Sequence, residues 1–197
     1  MEAALLKEDV EPRYTYGDYV EWTGPDRWEL IDGVPYFMPP APMRIHQDIS
    51  GEICVQIHTF LRGKLSKVYA APFDVRLPEG DEPDEEIRNL AQPDILVVCD
   101  KKKLDEKGCR GAPEFVIEIL SRSSITQDTI RKVALYERFG VKEYWIVDPN
   151  AKQITVRLIG ADGRFSPPRV HEGAGQLAVA TLPGLSIDLD AVFQASL

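Results

Sequence analysis

Apolar positions recur along this chain in two rhythms. Between Arg44 and Leu61, the residues Ile49, Ile53, Ile57, Phe60 and Leu61 return at helical spacing and predict an amphipathic helix. A second helix is expected to start at Thr126 or Asp128 and to turn Val133, Leu135, Tyr136 and Phe139 inward. It should stop at Gly140, a residue suited to a left-handed helix end. Short apolar runs predict strands at Val68–Leu77, Pro93–Cys99, Phe115–Leu120 and Val141–Val147, and alternation at Ile154, Val156 and Leu158 predicts another at Gln153–Ile159. Asp32-Gly33, a dipeptide favoured in tight hairpins, joins Trp28–Ile31 to Val34–Met38. A short helix capped by Thr15 precedes that hairpin, and Gln176–Phe193 adds a strand and a short helix. Lys101–Ala112, charged and carrying Gly108 and Gly111, reads as a surface loop. The expected fold class is α/β, a central mixed β-sheet flanked by helices with additional β-hairpins. Residues 1–13 form a loose tail, and 14–197 one domain.

One residue breaks the pattern. Glu118 sits inside the run Phe115-Val116-Ile117-Glu118-Ile119-Leu120. A carboxylate among apolar neighbours is costly to desolvate unless a cation meets it, and the strand contains none. The following helix offers Lys132. Upstream, Pro93-Asp94 opens a second apolar strand, so two neighbouring strands would present Asp94 and Glu118 with Lys132 nearby. Two carboxylates suit a hard divalent cation such as magnesium, with manganese an alternative, because magnesium keeps several waters and meets substrate phosphate at its open positions. Lys132 would then orient the attacking water and offset charge in the transition state. A buried ion-pair network holding strand to helix accounts for the same three residues.

Composition narrows this picture. With 197 residues, 44% hydrophobic and 28% charged, the chain is long enough to bury a core, and neither a disordered nor a membrane class is indicated. The first residues carry no basic start or apolar stretch of a signal peptide, so a cytoplasmic location is expected. Cys54, Cys99 and Cys109 are odd in number without CxxC spacing, and His46, His58 and His171 form no zinc pattern. The net charge of −9 opposes a broadly basic nucleic-acid surface. Much of that charge lies in Glu79–Glu86, read as a solvated loop. Lys101, Lys102, Lys103, Lys107, Arg110, Arg122 and Arg131 remain either to line a groove or to stay solvated.

Several of these residues fall in a recognisable order. Pro93-Asp94, then Glu118-Ile119-Leu120-Ser121, then Asp128 and Lys132, then Gly140-Val141-Lys142-Glu143-Tyr144-Trp145-Ile146-Val147-Asp148 resembles the Uma-type family, long catalogued as a domain of unknown function within the PD-(D/E)XK, or restriction-endonuclease-like, superfamily. Trp28-Glu29-Leu30-Ile31-Asp32-Gly33 and His46-Gln47 share the resemblance, which spans roughly Tyr14 to Phe193. It implies a restriction-endonuclease-like core and a magnesium-dependent endonuclease acting on DNA. Asp94 and Glu118 would be the metal ligands, Lys132 the catalytic lysine and Glu29 a supporting acid. The superfamily places its lysine two residues after the acid, where this chain has Leu120, so the resemblance implies that Lys132 on the next helix takes that place. Glu29 reads equally as a solvent-facing strand residue. His46 reads as a hydrogen-bonded structural residue or a site residue, and Asp128 as the i,i+4 partner of Lys132 or a site residue. Homodimerisation is implied only by analogy with related nucleases. A non-catalytic module binding nucleic acid or protein on the same scaffold is the alternative.

Overall fold

The computed structural model describes residues 12–38, 43–121 and 130–194. The proline-rich connection at 39–42, most of the expected N-terminal tail and the stretch holding Arg122, Thr126 and Asp128 lie outside the described residues. Thr15 caps α1 (Tyr16–Val20) through a reciprocal box, its hydroxyl accepting from the Asp18 N–H while the Asp18 carboxylate accepts from the Thr15 N–H. The hairpin of β1 (Arg27–Ile31) and β2 (Val34–Met38) turns at Asp32 and Gly33, with φ of 54° and 76°. Positive φ at both positions is what a tight two-residue turn requires. Helix α2 (Arg44–Leu61) follows the predicted span and buries Ile49, Ile53, Ile57 and Leu61.

The run expected as one strand over Val68–Leu77 is two. β3 (Lys67–Ala70) and β4 (Val75–Arg76) belong to different sheets, and the chain turns between them at Ala71-Pro72. Next come β5 (Leu90–Ala91) and β6 (Ile95–Val98). The expected loop at Lys101–Ala112 is instead a 3-10 turn over Lys101–Lys103 and a hairpin of β7 (Leu104–Asp105) and β8 (Gly108–Arg110), with Cys109 fully buried. Its high charge hid its inward residue. β9 (Phe115–Ile119), α3 (Lys132–Phe139) and β10 (Glu143–Asp148) then make a strand, helix and parallel strand, and Gly140 ends the helix at φ 78°. β11 (Gln153–Leu158), β12 (Arg169–Glu172), β13 (Gln176–Ala178), β14 (Ser186–Asp188) and α4 (Leu189–Gln194) complete the chain.

The main sheet has the order β12-β11-β10-β9-β6-β3 and is mixed, since only β9 and β10 run parallel. A second mixed sheet, β2-β1-β5-β4-β8-β7, was not foreseen as a unit because β4, β5 and β7 are only two residues long. Alternation along β9 divides the core. Phe115, Ile117 and Ile119 pack with α2 and α4, whereas Val116 faces α3 and second-sheet residues such as Val75, Ala91 and Cys109. Glu118 shares the parity of Val116 and therefore points into that second layer.

The acidic segment expected as solvated also has a structural part. Asp84 accepts from Arg76, Lys107 and Arg110, and Arg76, with no exposed surface, also holds both oxygens of Asp105 at 2.6 Å. Burial works to raise the Asp84 and Asp105 pKa values, but the bonds and charges from Arg76, Lys107 and Arg110 on Asp84, and from Arg76 on Asp105, outweigh it and hold both below the usual carboxylate range. Folded pKa values below the unfolded ones contribute stability that is present above about pH 4 and lost as pH falls through the folded values. An Arg76→Met variant should therefore be less stable than wild type at neutral pH, and urea unfolding should show the gap narrowing as pH drops below about 4. A gap independent of pH there would contradict this role for Arg76.

Candidate active site

Glu118 is 3% exposed and lies where the strand face meets the first turn of α3. Its Oε1 accepts from Lys132 Nζ at 2.8 Å and from the Tyr136 hydroxyl at 2.9 Å. Lys132 and Tyr136 are one helical turn apart, so the same helix face delivers both donors. Lys132 Nζ also lies 3.0 Å from Glu29 Oε1, which accepts the Gln92 backbone N–H at 2.8 Å. Glu29 is 1% exposed, so the solvent-facing reading of that residue is replaced by a buried one. Lys132 thus bridges a carboxylate from the main sheet and one from the second sheet. Burial first, then the Glu118 charge, pushes the Tyr136 phenol well above its ordinary pKa, so it stays protonated and donates to Glu118.

Asp94 stands one residue before β6. The β6–β9 register pairs Ile95 with Ile117, and Asp94 Oδ2 accepts the Ile119 N–H at 2.7 Å where the next backbone partner would be sought. The Asp94 carboxylate is therefore fixed at the end of the β9 strand beside Glu118. His46, near the start of α2, places Nε2 3.1 Å from the same Oδ2. With an acceptor there, Nε2 donates, and the buried Nδ1 has no hydrogen-bond partner among the described residues. The Asp94 side chain is 20% exposed, against 3% for Glu118. Asp128 lies outside the described residues.

The donor set fits a hard cation. Asp94 Oδ2 is committed to two donors, while Oδ1 has no protein partner among the described residues. No group of three or more His, Cys, Asp or Glu side chains among the described residues is placed to hold a metal ion. A cation bound by one or two carboxylates and several waters, as magnesium prefers, is compatible with this arrangement. Burial raises the Cys54 thiol to about 11 and Cys109 to about 12, which removes them as nucleophiles at neutral pH.

Two residues of this region, Tyr136 and Gln92, gave no sign of their roles in the sequence. Tyr136 was counted only as apolar, although its position four after Lys132 aims its hydroxyl at the same acid. Gln92, next to Pro93-Asp94, is 3% exposed and donates to Asp74 at 2.8 Å and to Tyr19 at 3.1 Å, while Arg27 donates to its carbonyl. Burial raises the pKa of Asp74, partly offset by the Gln92 bond and by the charges of Arg76 and Arg27. Asp74 is thus held in the hub around Gln92. Of the basic residues that might have lined a groove, Lys103 is spent on Glu114, and Lys107 and Arg110 are spent on Asp84. Arg131 lies with its guanidinium 4.4 Å from the Tyr36 ring centre.

The fold is nuclease-like. It matches a crystal structure from Anabaena variabilis, described as "a putative nuclease belonging to DUF820", with a TM-score of 0.73 and 18% identity over 93% of this chain and 99% of the other. Narrower than the fold is the family: the chain belongs to Uma2, described as "Putative restriction endonuclease", whose model matches residues 16–190. No curated protein matches the chain. No helix among the described residues is long and apolar enough to cross a membrane.

Removing one member of a buried ion pair leaves its partner uncompensated, at a cost of about 3–5 kcal/mol. Lys132→Met and Glu118→Gln should each destabilise on that order, and in urea unfolding the double variant should cost clearly less than the two singles combined. Additive losses would show that the contact at 2.8 Å carries no coupling.

Proposed function

We propose that this protein is a divalent-metal-dependent endonuclease that hydrolyses DNA phosphodiester bonds. The observation that carries the reading is the position of Lys132. Leu120 leaves the superfamily's usual lysine position apolar, and an ammonium from the next helix reaches the same carboxylate at 2.8 Å. Asp94 and Glu118 would hold magnesium, or manganese in its place, with the carbonyl of Ile119 close enough in sequence to add a ligand. Bound there, the cation would supply Lewis-acid polarisation of the phosphoryl oxygen and a lowered pKa for a coordinated water.

The protein's own groups do the rest. Lys132 presents a fixed positive charge beside the reacting phosphate, where negative charge grows as the water oxygen bonds to phosphorus and the phosphorus–oxygen bond to the leaving strand breaks. Glu29 and Tyr136 hold Lys132 and Glu118 in place, so neither needs to reorganise during the reaction. His46 orients Asp94 by occupying Oδ2, which leaves Oδ1 available to a cation. The acidic balance of the chain and the completeness of the Glu29–Lys132–Glu118 bridge favour one other reading, an interaction module whose ion pair is purely structural.

Supercoiled, linear and single-stranded DNA separate the two. Wild type should cut at least one of them only when magnesium or manganese is added. Glu118→Gln and Asp94→Asn should abolish cutting while remaining folded, and His46→Ala should lower the rate by about 10–100-fold. A wild type that cuts none of the three with either metal would remove the endonuclease reading and leave the interaction module.

A further inference from the structure

We propose that Arg131, seated on Tyr36, binds a backbone phosphate of the DNA strand entering this site, a substrate-positioning role that rests on the nuclease reading. The β1–β2 register pairs Arg27 with Met38 and Glu29 with Tyr36, so these four side chains share one face of the hairpin. That is the face on which Glu29 meets Lys132 at 3.0 Å. Arg131 immediately precedes Lys132 in the chain. Of these two successive residues, Lys132 is buried against the acids, and Arg131 is exposed and lies over the Tyr36 ring at the rim.

The chemistry at that rim is specific. A guanidinium held against an aromatic ring keeps its N–H groups in one plane with their edges free, which is the geometry that grips a phosphate through two parallel hydrogen bonds. Nearby arginines are already engaged. Arg27 donates from Nε and Nη2 to Gln92, and Arg138 pairs with Asp32 at 2.8 Å. Among the described residues no carboxylate pairs with Arg131. A polyanion approaching Asp94, Glu118 and Glu29 on a chain of net charge −9 is repelled unless a cation stands at the entrance, and Arg131 is placed to be that cation. The role is distinct from that of Lys132, whose ammonium bridges the two acids while Arg131 stands at the rim.

The test is fluorescence anisotropy of labelled duplex and single-stranded oligonucleotides in EDTA, which prevents cutting, repeated over a series of salt concentrations. Arg131→Ala should weaken binding about tenfold and reduce the magnitude of the salt slope by about 0.9 for duplex, with an unchanged unfolding midpoint. Arg131→Lys should keep the slope and lose part of the affinity, since it retains the charge without the fork. Tyr36→Leu should also weaken binding with the slope retained, because it removes the platform and not the charge. A folded Arg131→Ala or Arg131→Gln with wild-type affinity and slope, in a protein that does cut DNA, would overturn the Arg131 role and leave the nuclease reading standing. A wild type that neither binds nor cuts DNA would overturn both.

Discussion

The structure turns on one ammonium group. Lys132 Nζ stands between Glu118 on the main sheet and Glu29 on the second sheet, with all three side chains nearly removed from water. Charges so placed are costly to desolvate, and the cost is offset only while the geometry holds and the remaining lone pairs find donors. The surrounding fold supplies them. Tyr136 donates to Glu118 from the same helix as Lys132, and the Gln92 backbone donates to Glu29 from the segment leading into Asp94. The junction of two sheets and a helix is therefore fixed by polar contacts inside an otherwise apolar layer.

That layer sets the cluster apart from its surroundings. Ile117 and Ile119 face α2, while Val116 and Glu118 face α3, so a single strand carries apolar contacts on one face and a buried ion pair on the other. The low-polarity surroundings strengthen whatever field the charges make. Asp94 stands at the strand end, more exposed than Glu118, and His46 reaches it from the α2 layer.

Much of this was legible in the residues. Glu118 declared itself by being acidic in an apolar strand, and the expected partner, Lys132, is the one it meets. The α2 span and the Asp32-Gly33 turn followed from spacing and turn chemistry alone, because both signals are local. The second sheet was not legible, since its two-residue strands β4, β5 and β7 carry no periodicity and owe their existence to pairing across the chain. For the same reason Lys101–Ala112 looked like a loop and Asp84 like solvated charge, although Cys109 and Arg76 give both an interior anchor. Tyr136 was hidden by its dual character, an apolar body with a hydroxyl whose target lies on another element. The burial of Glu29 could not be read from β1, whose neighbours leave either face open to the core.

On the endonuclease reading, the acids around Lys132 and Asp94 form a cation site and not only an ion pair. Titration of the metal-free protein with Mn2+, followed by electron paramagnetic resonance, addresses it without requiring any substrate. Wild type should then bind Mn2+ saturably and a folded Asp94→Asn variant should not, because Oδ2 of Asp94 is taken by the Ile119 N–H and His46 and Oδ1 has no protein partner among the described residues, while Lys132 keeps its bridge. Folded wild type that binds no Mn2+, or binds it equally well without the Asp94 carboxylate, would contradict the claim and leave the bridge as a structural device.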